Sequence, residues 1–591
     1  MSSFRTVLIE ESAIADLTSE ETFGVYSGAA EKTLQKFLST SASNSSLIWN
    51  IQVPSENIVV SRHPLLQSDI NFTITINNGA VNLVPAGQLA FDYGSTDSFN
   101  AFPLQALMTN YSVMVNNTSI TSNIQDILPQ VMQMYDKRVL TRHNTTTPAL
   151  PDNSFGLYST CVGTNNNPMG SAFDMCYDTD FQPRGSFALR ACIPARYIGG
   201  VYQDASLVST GAATESWKVF IFATVAEPFL CLSPFVDMGA DNASGLIGVN
   251  TITLTCNIDG TAKRLWSTAN SDLVGTALVP YINSISLGTS AGAGVPGILS
   301  TSANGFENTY MLLEFLSINP SQASRMSSKC VVPYMDMPRY ITPASNLAVI
   351  PSLASTSLTS QNIQLNSVPD LFIICVRQQM STQSWQYSSS FLTINSISIN
   401  FNNKSGVLAS ANPQQLFNLS SKNGSCQTWQ EFSGQTNGNT IAGAGQVIPT
   451  IGSLLVLNPS LDFGLDDFLS ASSLGQFNFM LTINVTNQFP YSVQPEVVVI
   501  TANSGLFVCE AGVSQTYQGI LSKQSVLDAK AGRPVIDSEG YERLVGGRMS
   551  NRGMGRVLKQ FRQGSKTSAP IMSGAGVIGG ARGKGKLSKY M

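Results

Sequence analysis

The stretch Phe477-Asn-Phe-Met-Leu-Thr-Ile-Asn-Val485 decides the fold class of the chain. Its bulky apolar residues stand at every second position, and Asn or Thr fills most of the positions between them. Successive side chains of a β-strand point to opposite faces of a sheet, so this period predicts a strand with one buried face. A shorter stretch, Asn250-Thr-Ile-Thr-Leu-Thr255, alternates in the same way and runs on to Asp259-Gly260, a pair typical of antiparallel turns.

Stretches of this kind fill two consecutive blocks of the chain. In the first block, from about residue 46, they lie at 72–76, 111–115, 186–190, 218–223 and 250–255. In the second block, after about residue 281, they lie at 310–315, 371–375, 392–400, 477–485 and 496–500. The segment 287–297, rich in Gly and Ser, joins the blocks. The sequence therefore predicts two all-β units of similar length in series.

Helical signals are few. Residues 27–37 carry Ala30, Leu34 and Phe37 at helical spacing behind a serine, which predicts a helix in an arm that precedes the core. Further helices are predicted at 122–136, 413–419 and 427–432. A block of strands with a helix inserted between them is typical of a jelly roll with a decorated loop.

The composition favours a large packed protein. Of the 591 residues, 43% are hydrophobic and only 12% are charged. Because a single core stops growing at roughly 250 to 300 residues, we expect two large domains. The low charge suits buried subunit interfaces, where charged groups are depleted.

No segment of the sequence approaches the roughly 20 apolar residues that span a bilayer. The first thirty residues carry acidic side chains where a signal peptide has an apolar core. These acidic residues are Glu10, Glu11, Asp16, Glu20 and Glu21. We therefore expect a product that stays inside the cell that makes it.

Residues suited to metal binding or nucleophilic catalysis are scarce. The two histidines, His63 and His143, have no Cys, Asp or Glu partner at metal-ligand spacing, and no G-x-S-x-G elbow accompanies them. Nine cysteines are spread singly, which predicts reduced and mostly buried thiols. The G-x-G-x-x-G patterns at 292–297 and 574–579 lack the preceding strand and following helix of a nucleotide site.

The nearest approach to an acid pair is the group Asp462, Asp466 and Asp467. Two such carboxylates on a β-sandwich are the chemistry of a glycosidase. A solvated turn with a short helix explains this group better than a catalytic pair does. We therefore expect no enzyme activity, no metal, no cofactor and no small-molecule substrate.

The C-terminal segment 548–591 differs in charge from the rest of the chain. It contains ten basic residues and no Asp or Glu, so it carries a charge of +10 while the body is near −14. A charge asymmetry of this kind indicates a tail that contacts nucleic acid, an acidic scaffold or a membrane, with a merely solvated tail as the alternative. The ten residues are Arg548, Arg552, Arg556, Lys559, Arg562, Lys566, Arg582, Lys584, Lys586 and Lys589.

Several segments resemble the major capsid proteins of virophages of the Sputnik type and of related polinton-like viruses. The resemblance runs through most of residues 46–547 and depends on the order and spacing of its pieces. They are Asn100-Ala-Phe-Pro-Leu104, Asn165-Asn-Asn-Pro-Met-Gly170, Tyr334-Met-Asp-Met-Pro-Arg-Tyr340, Ser398-Ile-Asn-Phe-Asn-Asn403, Gly406-Val-Leu-Ala-Ser410 and Thr428-Trp-Gln-Glu-Phe432.

This resemblance implies an all-β double jelly roll, two eight-stranded β-sandwiches in tandem with a few inserted helices. It also implies a homotrimeric, pseudo-hexagonal capsomer in the icosahedral shell of a double-stranded DNA virus. We expect such a virion protein to assemble in the host cytoplasm or virus factory and to meet penton and minor capsid proteins. The expected division is an arm (1–45), a first jelly roll (46–280), a second jelly roll (281–515), a helical extension (516–547) and a flexible basic tail (548–591).

The tail also resembles substrates of adenovirus-type maturation cysteine proteases, which such viruses often encode. Leu544-Val-Gly-Gly547 precedes Arg548, and Met572-Ser-Gly-Ala575 precedes Gly576. Glycine has no side chain, so an extended segment of this kind enters a narrow protease groove. The candidate cleavage residues are Leu544, Gly546, Gly547, Arg548, Met572, Gly574, Ala575 and Gly576.

Two other classes of protein compete with the capsid hypothesis. A glycan-binding or fibre β-sandwich protein of a virus would need neither paired blocks nor a basic tail. A β-sandwich hydrolase would need a convincing acid pair or a partnered histidine. The sequence favours the capsid hypothesis over both.

Overall fold

The structure, a computed structural model, describes residues 5–8, 24–27, 31–55, 58–79, 83–93, 97–135, 189–235, 245–268, 273–274, 277–289, 303–317, 329–438, 446–465, 469–510 and 512–518.

The first part of the chain contains nineteen strands within the described ranges. They are β1 (Arg5–Leu8), β2 (Gly24–Ser27), β3 (Glu31–Leu38), β4 (Ser41–Ala42), β5 (Ser46–Gln52), β6 (Ile58–Val60), β7 (Leu65–Asn77), β8 (Asp97–Phe99), β9 (Met108–Val115), β10 (Thr118–Ser122), β11 (Leu189–Ile198), β12 (Val201–Asp204), β13 (Glu215–Pro228), β14 (Thr251–Ile258), β15 (Trp266–Thr268), β16 (Leu273–Val274), β17 (Ala277–Leu278), β18 (Ile282–Leu287) and β19 (Phe306–Ser317).

Two antiparallel sheets form the first sandwich. One has the order β10-β9-β14-β5-β4, and the other has the order β12-β11-β13-β7-β19-β3, with β18 and β6 added at its side. The long pair β7 and β13 runs in unbroken register from Leu65 opposite Pro228 to Asn77 opposite Ser216. Gly79, in the turn after β7, has φ +60°, a conformation that glycine adopts without strain.

The core of the first sandwich is aromatic at its centre. The ring of Trp266 lies 5.1 Å from that of Phe99 and 5.7 Å from that of Phe72, both edge-on. Phe91 stacks on the same indole at 5.8 Å. These side chains are almost completely buried, and burying each one stabilises the fold by roughly 1.5–3 kcal/mol.

The second part contributes thirteen further described strands. They are β20 (Lys329–Asp336), β21 (Arg339–Thr342), β22 (Ser355–Thr359), β23 (Ile363–Ser367), β24 (Leu371–Gln378), β25 (Thr393–Phe401), β26 (Lys404–Val407), β27 (Gln435–Gly438), β28 (Gln446–Pro449), β29 (Leu455–Leu457), β30 (Leu474–Thr486), β31 (Pro495–Glu510) and β32 (Val513–Gln518).

These strands build a second sandwich from two antiparallel sheets. The inner sheet has the order β20-β31-β24-β29, and β21 and β32 also pair with β31. The outer sheet has the order β22-β30-β25-β26, and β23 also pairs with β30. The two sandwiches agree with the predicted double jelly roll, although additional short strands bring each sandwich to more than eight strands.

Helices are short and lie in the connections between strands. They are α1 (Pro103–Ala106), α2 (Ile124–Met132), α3 (Pro413–Lys422), α4 (Trp429–Phe432) and α5 (Pro459–Asp462). At the start of α3, Asn412 accepts a hydrogen bond from the Gln415 amide at 2.9 Å, and the Gln415 side chain accepts one from the Asn412 amide at 3.0 Å. This reciprocal cap, with Pro413 in the first turn, fixes where the helix begins. Among the described helices, none has the length and apolar character needed to cross a bilayer.

The helix predicted at 27–37 is wrong. Glu31–Leu38 is the strand β3, which pairs antiparallel with β19 and sets Phe37 opposite Met311. Phe37 packs edge-on against Phe315 at 5.9 Å. The helical spacing of three apolar residues is outweighed here by pairing with a strand far along the chain.

The predicted boundary near residue 280 also needs correction. The strand Phe306–Ser317, expected in the second jelly roll, pairs with β7 and β3 of the first sandwich. The change from one sandwich to the other therefore falls between Ser317 and Lys329. The start of the predicted helical extension at 516 is a strand, because 516–518 belong to β32, and residues 519–547 lie outside the described residues.

Candidate assembly site: the seam between the two sandwiches

We use "seam" for the contact of the first sandwich with the inner sheet and with the connections that adjoin its strands. The strand β24 is buried along its whole length, and its alternate residues enter two different cores. Leu371, Ile373 and Cys375 pack into the core of the first sandwich. Their neighbours in the strand pack into the core of the second sandwich. The strand β24 therefore has no solvent face, and it joins the apolar cores of the two sandwiches.

The strand β31 crosses the seam. Val498 and Ile500 in its first half pack toward the first sandwich, while Val497 and Val499 pack into the second. In its second half, Cys509 lies 3.1 Å from the Gly248 carbonyl oxygen of the first sandwich. One strand of sixteen residues thus borders both cores.

The last described strand, β32, adds polar contacts across the seam. The Ser514 amide donates to the Asn117 side-chain oxygen at 2.7 Å, and the Ser514 hydroxyl donates to the Val115 carbonyl at 2.5 Å. The Thr118 hydroxyl donates to the Ser514 carbonyl at 2.5 Å. The chain is therefore attached to the first sandwich until shortly before residue 518.

A buried charge cluster lies in the same seam. Asp126, in the first turn of α2, accepts a hydrogen bond from Arg377 of β24 at 2.6 Å and also pairs with Arg339. Arg377 donates in addition to Glu496 of β31 at 3.2 Å. Arg377 is only 2% exposed, so the loss of Asp126 would leave this buried charge with Glu496 as its remaining acidic partner, at the longer distance. The cluster therefore fixes one relative position of α2 and the inner sheet.

A second buried arginine, Arg264, lies against the connection between β24 and β25. It donates to the Ser388 carbonyl at 3.2 Å and to the Gln125 carbonyl. Burial, together with the nearby charge of Arg377, lowers the pKa of Arg264 to about 9. The connection 383–390 is entirely buried, although most of its residues are polar.

Glu227 is a buried carboxylate outside the seam. Glu227, near the end of β13, accepts hydrogen bonds from the Leu104 and Gln105 amides at 2.9 and 3.1 Å. These amides belong to the first turn of α1, where backbone N–H groups have no partner within the helix. Burial raises the pKa of Glu227 to about 7, against the lowering effect of these hydrogen bonds.

The candidate catalytic groups do not come together in the described residues. Asp462 accepts from the Asn423 side chain and the Asn458 amide, both at 2.7 Å, so it stabilises the start of α5. Its expected companions Asp466 and Asp467 lie outside the described residues, as does His143. His63 is exposed. Within the described ranges, no group of three or more His, Cys, Asp or Glu is arranged to hold a metal ion.

The described cysteines are free thiols, and three of them are fully buried. Burial raises the pKa of Cys375, one of these three, to about 11, which keeps it protonated at neutral pH. Cys161 and Cys176 lie outside the described residues. Both candidate cleavage motifs and all ten basic residues of the tail also lie outside them.

Known proteins match this chain over almost its whole length. The family model described as the Sputnik virophage major capsid protein first domain matches residues 2–314, more than half of the chain. The chain belongs to the virophage major capsid protein family. A second model, the major capsid protein V20 C-terminal domain, matches residues 337–505 of this capsid protein.

Comparisons with individual relatives support the same family assignment. The putative capsid protein V20 of Sputnik virophage is 26% identical over 550 residues, covering 90% of this chain and 82% of the relative. The cryo-EM structure of the Sputnik virophage superposes with a TM-score of 0.70 at 23% identity, covering 91% of this chain and 98% of the other. The mavirus major capsid protein superposes with a TM-score of 0.62 at 16% identity, covering 84% and 92%.

The predicted fold class and the prediction of a major capsid protein are thereby confirmed. The chain is a major capsid protein with a double jelly-roll fold, and its place is the virion shell. Members of the family are structural capsid proteins and not enzymes. The seam is accordingly the site that gives the shell subunit its shape.

Proposed function

We propose that three copies of this capsid protein form a pseudo-hexagonal capsomer that tiles an icosahedral shell. The seam supports this proposal, because it fixes two similar sandwiches side by side as one body. Three such chains present six similar walls around a three-fold axis, and repeated lateral contacts between equal walls give a closed lattice.

The exposed face of the outer sheet also supports close packing between subunits. Apart from Lys404 of β26, its side chains are neutral, and several of them hydrogen-bond to each other across strands. Ser355 lies 2.7 Å from the Thr486 hydroxyl, and the Asn484 amide donates to Ser357 at 3.2 Å. Asn395 donates to Asn484 at 2.9 Å. A neutral polar face can be covered by a neighbour without burying an unpaired charge.

The experiment for the capsomer is mass measurement of the purified full chain, followed by negative-stain microscopy. We expect a particle with three times the chain mass of 63.2 kDa and a ring-like hexagonal outline. A persistent monomer at micromolar concentration would contradict the proposal. The glycan-binding alternative would gain support only if that monomer bound an oligosaccharide.

We propose further that a maturation cysteine protease of the adenovirus type cleaves the tail at Leu544–Arg548 and Met572–Gly576. The position of β32 supports this proposal, because both motifs follow the last strand of the seam. Cleavage there removes no contact of the described fold. Incubation with such a protease should shorten the chain by the masses of residues 548–591 and 576–591, measured by intact mass spectrometry.

A matched variant pair sharpens the cleavage experiment. Gly547→Val blocks entry into a narrow protease groove, and we expect it to abolish the first cut. Gly553→Val, in the same tail but outside both motifs, serves as the control and should be cut normally. Cutting of both variants at equal rates would overturn the assignment of Leu544–Arg548.

Before cleavage, we propose, the basic tail binds genomic DNA. The charge of +10 against a body near −14 supports this proposal. The full chain should bind duplex DNA with an affinity that falls steeply with salt, and a 1–547 truncation should not bind. If the full chain and the truncation bind DNA equally, the body and not the tail contacts DNA. If the tail binds anionic vesicles or an acidic scaffold but not DNA, the membrane or the scaffold is its partner.

Closing an icosahedral shell also requires subunits at the five-fold positions. We propose that penton and minor capsid proteins contact the walls of the capsomer there. A purified trimer that closes shells without them would contradict this part of the proposal. Because β3 and β4 belong to the sheets of the first sandwich, the arm is shortened to the residues before Glu31. Residues 548–591 stay the proposed tail, and the border between the jelly rolls is moved to 318–328.

A further inference from the structure

A small cavity of about 10 Å³ lies within the seam. Its wall contains Asn100, Gln133 and Arg264 from the first sandwich and Ser389 and Ile451 from the second. A volume of this size holds one water-sized molecule, and it does so stably only where two to four polar partners converge. The identity of the occupant is therefore decided by the hydrogen-bonding character of the wall.

The first polar group of the wall is a donor. Arg264 is 4% exposed and has no acidic side chain within ion-pair distance among the described residues. Its nitrogens contact two backbone carbonyls and the Met380 sulfur at 3.3 Å. A guanidinium has five N–H donors, so these contacts leave donors for an occupant that accepts.

The second polar group is an acceptor whose orientation is fixed. The Asn100 amide nitrogen donates to the Arg264 carbonyl at 2.7 Å and to the Trp266 carbonyl at 3.4 Å. Rotating the amide by half a turn would place its oxygen against both carbonyls. The Asn100 oxygen, which is buried and has no partner in the protein, therefore remains an acceptor.

The third polar group is a second side-chain amide with an unpartnered oxygen. The side-chain oxygen of Gln133 is buried and has no hydrogen-bond partner in the protein. Gln133 is 3% exposed and follows α2 directly. A buried acceptor left without a donor costs about 1–3 kcal/mol, so two of them beside one cavity strongly favour an occupant that donates.

Together these groups exclude most ligands. An anion is attracted by Arg264 but repelled by the fixed oxygen of Asn100. A metal cation is attracted by the two amide oxygens but repelled by the guanidinium. An apolar occupant satisfies none of the three groups.

We infer that the seam cavity binds one ordered water molecule, which accepts from Arg264 and donates to the side-chain oxygens of Asn100 and Gln133. The water lies between the two sandwiches, because Ser389 and Ile451 close the cavity from the second one. It supplies the buried Arg264 with an acceptor and both amides with a donor. It is thus a component of the seam, alongside the Asp126 cluster.

The test is a crystal structure of the full chain at better than about 2 Å, from crystals soaked in sodium bromide. We expect a density peak within about 2.7–3.2 Å of Arg264 and both amide oxygens, without anomalous signal at the bromine edge. An anomalous peak shows an anion and overturns the inference. A cavity without density overturns it as well.

A variant measured in the same crystals separates the water from a chance peak. Gln133→Leu removes one acceptor and fills part of the cavity, so the peak should disappear while Arg264 keeps its place. Asn110→Leu, which removes an exposed amide that accepts from Asn257, is the control and should leave the peak unchanged. A peak of full height in Gln133→Leu would contradict the proposed site.

Discussion

The inner and outer sheets of the second sandwich share one class of structure but differ in what covers them. In the outer sheet, β30 alternates between buried and exposed residues, with Phe479, Leu481 and Ile483 buried. In the inner sheet, all eight residues of β24 are buried. A strand shows the period of two in its sequence only when one face meets solvent. The difference teaches that alternation marks the strands of the outer sheet, whereas β24 is marked in the sequence only by a continuous apolar run, which does not tell which residue faces which core.

The largest effect should come from the charge cluster of the inner sheet. Asp126→Ala leaves Arg377 and Arg339 without their shared carboxylate, and we expect a loss of about 3–5 kcal/mol in the free energy of unfolding. Urea denaturation followed by tryptophan fluorescence measures it. The control is Glu314→Gln, which breaks the exposed pair with Lys32 at 2.8 Å and should cost at most about 1 kcal/mol. If both variants lose the same free energy of unfolding, the buried cluster of the seam stabilises the fold no more than a surface ion pair does.

A slightly smaller effect should come from the apolar part of the seam. Ile373→Ala opens a cavity where the side chain is 1% exposed, and we expect a loss of about 2–5 kcal/mol. Met480→Ala on the outer sheet removes a half-exposed side chain and should cost clearly less. Thermal unfolding of the two variants compares the sheets directly. If Ile373→Ala lowers the free energy of unfolding no more than Met480→Ala does, the two cores are not joined through β24.

A third test asks how a buried charge behaves away from the seam. The pKa of Glu227 is raised by burial from 4.5 to about 7, so between these values the folded state holds more protons than the unfolded state. Its contribution to stability is complete below pH 4.5 and is lost as the pH rises through 7, at up to about 1.4 kcal/mol per pH unit. Denaturation from pH 4 to 8 should show this slope in the parent chain and a flatter profile in Glu227→Gln. Glu314→Gln should retain the slope, and an unchanged profile in Glu227→Gln would assign the slope to other groups.

The smallest effect on folding should come from the outer sheet. Thr482 is exposed, so Thr482→Lys should change the unfolding free energy by no more than about 0.5 kcal/mol. If this face is covered in the shell, the same variant should assemble poorly, because it places a charge in a neutral contact. Thr482→Ser keeps the hydroxyl and serves as the control. Normal shells from Thr482→Lys would show that the face stays open to solvent.

Strand positions could be predicted where alternation or turn residues are present. The stretch 477–485 lies within β30, and 250–255 overlaps β14, which ends just before Asp259-Gly260. The stretch 392–400 overlaps β25, where the register shifts between Ile394 and Ser396. The apolar residues change from one parity to the other at that point, so the sequence already contained a signal of the bulge.

The seam could not be predicted, because its residues are brought together across long stretches of chain. Asp126 and Arg377 are 251 positions apart, and neither lies in a motif. A single signal was available: a charged residue that directly follows the apolar run 371–376 needs a buried partner. For β3 the local pattern was misleading, because its pairing with β19 is formed by a strand that follows it by more than 260 residues.

The strand β31 has a consequence for how the subunit withstands force. Its first half borders both cores and its second half lies against the first sandwich, so neither sandwich can be pulled away without drawing this strand out of its neighbour. The two jelly rolls should therefore unfold as one cooperative unit, without a hinge between them. A load on one half of the shell subunit is then shared by the other half along a covalent backbone.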